Sequence, residues 1–250
     1  SQCTIVWYVD DNKISHVDKD VVTDILEKLK GHFGNITISR GKKHNFLGTD
    51  IEIREDGMIE MTMIPHIQDA IDSFGSLCGY KVTSPAAAHL WDVNEDCEVL
   101  DEEKAIIFHS VTAKLLFVSK RTRPDIEPAV AFCTTRVQKP NKDDWKKLKR
   151  CITYLDQTKN DPRIIGCSNL EELFTWVDAS FAVHPNMRSH TGGVMSMGRG
   201  MIHCRSSKQK LNTKSSTEAE LVGTSEYVPF NIWILMFMKK QGYDIKKNIL

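Results

Sequence analysis

"TIVWYVDDNKISHV", residues 4–17, places two adjacent aspartates, Asp10 and Asp11, between two apolar runs. Residues 4–9 and 12–17 are typical of two short strands, so the acidic pair is predicted at the tip of a hairpin. Mg²⁺ takes one or two protein carboxylates together with waters and substrate phosphates, and such a turn suits it. The alternative is a solvated turn, because Asp and Asn favour turns for local reasons. The aromatic and branched residues that precede the pair favour the metal-binding interpretation.

Composition sets broad limits on the kind of protein. The 250 residues are enough for one large domain or two to three small ones, and 41% are hydrophobic, as in an ordinary soluble protein. Lys plus Arg and Asp plus Glu both number 33, so affinity for a polyanion must come from local clusters of charge. Seven scattered cysteines without a CxxC pair indicate reduced thiols in an intracellular compartment. The longest strongly apolar run, residues 228–238, is too short to span a bilayer, so no membrane partner is expected.

Hydrophobic periodicity predicts an α+β fold with a hairpin-bearing first part, a helical middle and a final part of strands followed by a long helix. The stretch "FLGTDIEI", residues 46–53, alternates as one strand, and residues 76–100 are irregular and suit a linker. Trp145 and Trp233 lie on apolar stripes and are predicted to be core residues and not base-stacking platforms. Helices are predicted over about 19–30, 65–74, 101–120, 125–138, 141–158 and 216–241, with strands in 173–183, 191–206 and the final "KNIL".

A second acidic constellation lies near the end of the chain. Asp178 falls in the middle of "LFTWVDASFA", where burial is costly unless the carboxylate is paired or binds metal. The alternative is that Asp178 lies on the solvated face of an edge strand. In "SSTEAELVG", Glu220 is the candidate partner, although Thr217 and Glu220 also fit a helix capping box. Glu218 could serve as a plain partner of the helix dipole.

Two basic segments suggest contacts with phosphates. Six Lys or Arg lie between Lys139 and Arg150, and residues 205–214 contain four basic residues and no acid. Segregated basic clusters on a net-neutral chain fit a surface that tracks a nucleic-acid backbone, and the alternative is a solvated helix face or loop. The candidate contacts are Lys146, Arg150, Arg205, Lys208 and Lys210.

The order of motifs along the chain resembles the polyprotein of copia-type retrotransposons. "YVDD", the helix after it and "FLGTDIEI" resemble late palm motifs of the reverse transcriptase, and "TRPDI" and "KPNKDDWKKLKRCITYLDQTK" resemble the family's motifs beyond the palm. "VDASFA", "RSHTGG", "SSKQK" and "SSTEAEL" resemble the ribonuclease H portion. By this resemblance, residues 1–75 are a truncated palm remnant with the primer-grip hairpin, and 76–168 are thumb and connection helices. Residues 169–250 are a partial ribonuclease H-like domain, with a mixed sheet and a long helix packed on it.

The resemblance also implies roles for residues. Asp10 and Asp11 match metal-binding aspartates of the polymerase, and Tyr8 matches an aromatic residue next to the primer terminus. Phe46, Leu47 and Gly48 match the primer-grip hairpin, with core packing as the alternative for the first two. Asp178 and Glu220 match two carboxylates of the ribonuclease H metal site.

The activity implied is RNA-directed DNA synthesis and cleavage of RNA in RNA–DNA hybrids by two-metal phosphoryl transfer. The cofactor would be Mg²⁺ or Mn²⁺, and the partners would be template RNA, a primer, the hybrid and deoxynucleotides. The parent element would act in a cytoplasmic particle and the nucleus. The chain holds two of three polymerase carboxylates and two of four nuclease carboxylates, so the segment alone is expected to be inactive. The alternatives are a degenerate, non-catalytic nucleic-acid-binding remnant and an unrelated Mg²⁺-dependent phosphotransferase, which leaves the motif order unexplained.

Overall fold

The computed structural model describes residues 2–250, and its first element is the expected hairpin. Strand β1 (Thr4–Tyr8) pairs antiparallel with β2 (Asp11–Ser15), and Tyr8 lies opposite Asp11. Val9 and Asp10 therefore form the two-residue turn, with Val9 at a φ of 51°. Helix α1 (Lys19–Phe33) comes next, and the Asp18 side chain caps it by accepting from the amide of Asp20.

The second sheet begins with a hairpin that corrects the strand predicted over residues 46–53. Strand β3 (Lys43–Phe46) ends at Phe46, and β4 (Thr49–Ile53) returns antiparallel to it. Leu47 and Gly48 form the turn with φ values of 52° and 73°. Leu47 is thus not on a strand face, because its backbone lies in the left-handed region. Strand β5 (Ile59–Thr62) pairs with β4.

Four helices form the middle layer, as predicted from their apolar periodicity. Their largest fully buried side chains include Phe108, Leu115, Leu148 and Ile152. Trp145 is half-buried and stacks on Phe74 with ring centroids 4.4 Å apart, so its predicted core role is confirmed. The helices are α2 (Ile64–Phe74), α3 (Glu102–Ser119), α4 (Glu127–Arg136), which comes after a short 3₁₀ turn, and α5 (Lys142–Gln157).

The third sheet is mixed and carries one long helix. Its three antiparallel strands are joined at one edge by a parallel strand, in the order β10-β8-β7-β11. The helix covers one face, and an amide pair between Asn231 and Asn248 links it to the parallel strand. The α+β class is confirmed. The elements of this part are β6 (Arg163–Cys167), β7 (Glu172–Ser180), β8 (His190–Ser196), β9 (Gly198–Arg199), β10 (Met201–Lys208), α6 (Ser216–Lys240) and β11 (Lys247–Ile249).

Two short strands connect the second sheet to later parts of the chain. Strand β6 pairs antiparallel with β5, and β9 pairs with β6, giving the order β3-β4-β5-β6-β9. Strand β6 lies in the range predicted as thumb and connection, and β9 lies in the range predicted as partial ribonuclease H. All three predicted ranges therefore contribute strands to one five-stranded sheet.

Helix α6 has an apolar surface larger than its contact with the sheet. By length and composition alone it is a candidate membrane span, and 22% of its apolar window is buried. Trp233 is 63% exposed and stacks on Phe237, so its predicted core position is wrong. The helix is apolar on several faces, and only the side that includes Tyr227 and Ile234 packs against the sheet.

Candidate active site and nucleic-acid interface

Glu220 and Asp178 are brought to the same part of the third sheet. The Oε1 atom of Glu220 accepts a hydrogen bond from the amide nitrogen of Ala179 at 3.2 Å, so the carboxylate lies against the peptide directly after Asp178. Strand β11 pairs only with Glu172–Phe174, so this part of β7 is beyond the end of its parallel neighbour. The helix carboxylate therefore reaches an open edge of β7.

The Asp178 side chain lies on the other side of the strand from the helix. On β7, Leu173 and Thr175 are buried beneath α6, and alternation along a strand places Asp178 on the opposite face. Among residues 2–250 no hydrogen bond joins Asp178 to Glu220. The two carboxylates flank the Ala179 peptide, one from the helix side and one from the opposite side.

The start of α6 shows that Glu220 is not a capping residue. Ser215 is the N-cap, and its hydroxyl accepts from the amide of Glu218 at 3.1 Å. Glu218 in turn accepts from the amide of Lys214 at 2.6 Å. The capping box proposed for Thr217 and Glu220 is therefore wrong, because the helix begins one residue before Thr217. Glu220 is left free to contact β7.

Two glycines allow α6 to approach the sheet closely. A Cβ atom on Gly223 would lie 3.2 Å from Thr191 and 3.5 Å from Ala179. On the sheet, a Cβ atom on Gly193 would lie 2.2 Å from the ring of Tyr227. Because both positions lack side chains, the helix lies near enough for Glu220 to reach the backbone of β7.

The first acidic pair is fully accessible. Asp10 and Asp11 are exposed at the tip of the β1–β2 hairpin, and neither forms an ion pair within residues 2–250. Tyr8 is 59% exposed, and Trp7 donates from its indole nitrogen to the carbonyl of Val9 at 2.8 Å. The turn therefore offers its carboxylates to solvent and is not covered by protein.

The candidate primer-grip residues lie where the resemblance implies a hairpin. Phe46, Leu47 and Gly48 are half-buried and belong to neither buried cluster of the core. A Cβ atom on Gly48 would lie 2.7 Å from His66 of α2, and the His66 ring stacks on Phe117 of α3 at 5.5 Å. The hairpin turn thus packs against the helical layer.

The predicted phosphate contacts differ in their surroundings. Lys146 and Lys210 are exposed, whereas Arg150 donates from Nε to the carbonyl of Ser84 and from Nη2 to its hydroxyl, both at 3.1 Å. Burial and the charge of Arg188 lower the pKa of Lys208. Arg205 lies over the ring of Phe230 at 5.2 Å. Arg150 therefore anchors the irregular segment that precedes α3, and Lys146 and Lys210 are free to meet solvent.

The donor chemistry fits a divalent cation in part. Each acidic pair offers the two carboxylates that Mg²⁺ typically takes from protein, with water and substrate supplying the rest. Among residues 2–250 no group of three or more His, Cys, Asp or Glu is arranged to hold a metal ion. Either pair would need further ligands to hold a metal ion.

Sequence reasoning missed one cluster of basic residues. Lys120, Arg163 and Arg205 are far apart in the sequence and line one cavity. The basic segment 205–214 pointed to Arg205 alone, since Lys120 lies directly after α3 and Arg163 lies on β6. Contacts of β10 with Arg163 and with Glu127, the ion-pair partner of Lys120, bring the three residues together.

Comparisons with known proteins give relatives of one kind over nearly the whole chain. The chain is 27% identical over 252 aligned residues, 98% of its length, to the retrovirus-related Pol polyprotein from transposon TNT 1-94 of Nicotiana tabacum. It is 25% identical, over 96% of its length, to the retrovirus-related Pol polyprotein from transposon RE1 of Arabidopsis thaliana. It spans 19% and 16% of those two polyproteins.

A shorter relative matches half of the chain. The secreted RxLR effector protein 161 of Plasmopara viticola is 27% identical over 132 residues, 52% of this chain and 93% of that protein. No protein-family model and no solved structure matches the chain. The similarity to Pol polyproteins over most of the chain supports its interpretation as a segment of a retrotransposon polyprotein.

Proposed function

We propose that the chain is the part of a retrotransposon Pol polyprotein that joins the end of a reverse transcriptase to the start of a ribonuclease H. The parent protein would copy RNA into DNA and cleave the RNA strand of RNA–DNA hybrids. The proposal is supported by the polyprotein relatives and by the order of motifs from "YVDD" to "SSTEAEL". A hairpin with two exposed aspartates, a helical layer and a mixed sheet with a long helix are compatible with it.

One contact carries the nuclease part of the proposal. The Glu220 carboxylate reaches the amide of Ala179, next to Asp178, from an element 41 residues away in the sequence. A capping or purely solvated role does not explain this contact, since Ser215 and Glu218 already cap the helix. A strand aspartate and a helix glutamate at an open strand edge are accessible to a nucleic-acid backbone.

The residues would act by binding and orientation. Bound divalent cations would activate the attacking hydroxyl and stabilise the leaving oxygen of an in-line phosphoryl displacement. Asp178 and Glu220 would be the protein ligands of such ions, and the Ala179 N–H fixes one Glu220 oxygen and leaves the other free. At the hairpin, Asp10 and Asp11 would serve the polymerase, and the exposed ring of Tyr8 would lie beside the primer end.

Iron-mediated cleavage of the polypeptide tests both acidic pairs. Fe²⁺ bound in place of Mg²⁺ generates hydroxyl radicals with ascorbate and peroxide, and these cut the backbone near the ion. We expect cuts near residues 178–180, 218–221 and 9–12 that excess Mg²⁺ suppresses. Asp178→Asn combined with Glu220→Gln should remove the first two and keep the third.

Asp244→Asn is the matched control, because Asp244 is an exposed acid before β11. It should leave all cuts unchanged. Cuts that ignore the Asp178 and Glu220 substitutions, or no cuts in these regions, would overturn the proposal that these carboxylates bind metal.

A further inference from the structure

A cavity of about 300 Å³ opens where the helical layer meets the third sheet. Three basic side chains line it from different elements: Lys120 directly after α3, Arg163 on β6 and Arg205 on β10. The cavity is separate from both acidic pairs, since none of the four carboxylates lines it. Its remaining lining residues are Ile202, His203, Cys204 and Phe230.

The positive charge of this cavity is not balanced by protein acids. Lys120 forms an ion pair with Glu127, which is 4% exposed at its side chain. The Glu127 carboxylate also accepts from the Cys204 thiol at 3.0 Å and from the Ser206 amide at 3.1 Å, so its acceptor capacity is largely used. Arg163 and Arg205 form no ion pair within residues 2–250. Of the three cations, only Lys120 therefore pairs with a carboxylate among these residues.

The three cations lie close enough to His203 to influence its pKa. Burial lowers the pKa of His203, and the charges of Lys120, Arg205 and Arg163 lower it further. Burial also lowers the pKa values of Lys120 and Arg163. Partly buried cations that lack counter-ions are costly, and a bound anion would offset that cost.

Arg163 is held in place before any ligand arrives. Its Nη1 donates to the carbonyl of Arg121 at 2.6 Å, and its Nη2 donates to the carbonyl of Met201 at 2.7 Å. Its Nε is buried and has no partner among the described residues. A fixed guanidinium loses little conformational freedom when it binds an oxyanion.

We propose that this cavity binds a phosphate group. Two guanidinium groups and one ammonium group match an oxyanion with several acceptor oxygens, and charge-assisted hydrogen bonds of this kind are among the strongest in proteins. The phosphate can belong to a free ion or to a nucleic-acid backbone. The proposal does not rest on the nuclease function, because Asp178 and Glu220 take no part in the cavity.

Inorganic phosphate is the first probe, measured by ³¹P NMR with the full 250-residue chain at constant ionic strength set with chloride. We expect saturable binding that Arg205→Gln weakens by about tenfold, because one charge-assisted contact is lost. Arg205 is chosen because, within residues 2–250, its side chain contacts the Phe230 ring and makes no hydrogen bond that the fold needs. Arg205→Lys should retain part of the affinity.

Lys239→Gln is the matched control, an exposed cation at the end of α6 and outside the cavity. It should bind phosphate as the unmodified chain does. Circular dichroism melts establish that each variant is folded. Absence of saturable phosphate binding, or equal binding by Arg205→Gln and the unmodified chain, would overturn the proposal.

A labelled RNA–DNA hybrid distinguishes the two phosphate sources. If the backbone supplies the group, inorganic phosphate competes with the hybrid, and Arg205→Gln lowers the salt slope of hybrid binding by about one. If the cavity takes a free phosphate, phosphate binds and leaves hybrid affinity unchanged. Either result supports a phosphate site and assigns its source.

Discussion

Glu220 on α6 accepts a hydrogen bond from the amide of Ala179 on β7, with 3.2 Å between the oxygen and the nitrogen. This contact fixes the first turns of α6 relative to the strand that carries Asp178. It depends on where the helix begins and on how closely the helix lies on the sheet. Both conditions can be tested by small substitutions.

Removal of the helix cap should destabilise the last third of the chain. The Ser215 hydroxyl satisfies the amide of Glu218, and Ser215→Ala should lower the free energy of unfolding by about 1 kcal/mol. Thr217→Ala lies inside the helix and should change it by less than about 0.5 kcal/mol. Urea unfolding monitored by circular dichroism measures both. Equal losses in the two variants would contradict the assigned cap.

Two neighbouring glycines on β8 should respond differently to alanine. Gly193→Ala places a methyl group 2.2 Å from the Tyr227 ring, so α6 must shift, and overpacking of this kind costs about 1–3 kcal/mol. Gly192→Ala meets only the Asp178 carbonyl at 4.0 Å and should be close to neutral. Thermal and urea unfolding of the pair provide the comparison. A stable Gly193→Ala variant would show that the helix lies farther from the sheet.

Glu127 is expected to be a structural link between α4 and β10. Glu127→Gln replaces a buried carboxylate that accepts from Lys120, Cys204 and Ser206, and it should lower the free energy of unfolding by about 1–3 kcal/mol. Lys120 is partly exposed, which limits the loss. Glu95→Gln, at an exposed loop position, should be neutral. Chemical denaturation measures the free energy of unfolding of both variants. Similar values for the two substitutions would refute the link.

A buried histidine pair should make stability depend on pH. His184 and His190 share a hydrogen bond of 3.1 Å, and Trp91 packs on both rings. Burial lowers the pKa of His184 to about 4, and burial with the His184 charge lowers the pKa of His190 to about 3; Lys208 contributes to both. The unfolded chain takes up protons near pH 6.5, so stability is complete above that pH and is lost as pH falls toward 4 and 3.

Between about pH 7 and pH 5 this pair should remove about 1–2 kcal/mol per histidine from the free energy of unfolding. His190→Gln should flatten that decline and keep acceptor and donor groups beside Ser206, with which the ring nitrogen of His190 pairs at 2.7 Å. Denaturation curves at the two pH values, monitored by tryptophan fluorescence, measure the slope. An unchanged slope in the variant would place the proton uptake elsewhere.

The isolated chain should neither extend a primer nor efficiently cleave a hybrid. Each acidic pair supplies two carboxylates, and two-metal phosphoryl transfer requires more ligands than two. Incubation with Mg²⁺ or Mn²⁺ and a labelled RNA–DNA hybrid measures this directly. Robust cleavage that Asp178→Asn abolishes would show that the two carboxylates suffice.

Helices could be predicted from the sequence because their apolar residues recur with the period of an α-helix. Leu148 and Ile152 on α5 obey that pattern and are fully buried. Periodicity failed at Trp233, since α6 is apolar on more than one side and the pattern does not tell which side the sheet covers. It also failed at Leu47, because leucine gives no local signal for a left-handed turn.

Of the candidate site, Glu220 lies against the strand of Asp178, and the opposite faces of the two side chains could not be foreseen. The position of the cap decided which glutamate was free, and the predicted capping box at Thr217 lay two residues after the observed N-cap, Ser215. The cation cavity could not be predicted, because Lys120, Arg163 and Arg205 become neighbours only through tertiary contacts of β10 with Arg163 and Glu127.

The position of β6 also limits where the chain can be divided for expression. A fragment that stops before Arg163 would leave β5 with an unpaired edge, and one that starts after Cys167 would leave β9 without its partner. Exposed strand edges promote intermolecular pairing, so both fragments should aggregate more readily than the intact chain. A division between α1 and β3, at residues 34–42, would spare all three sheets.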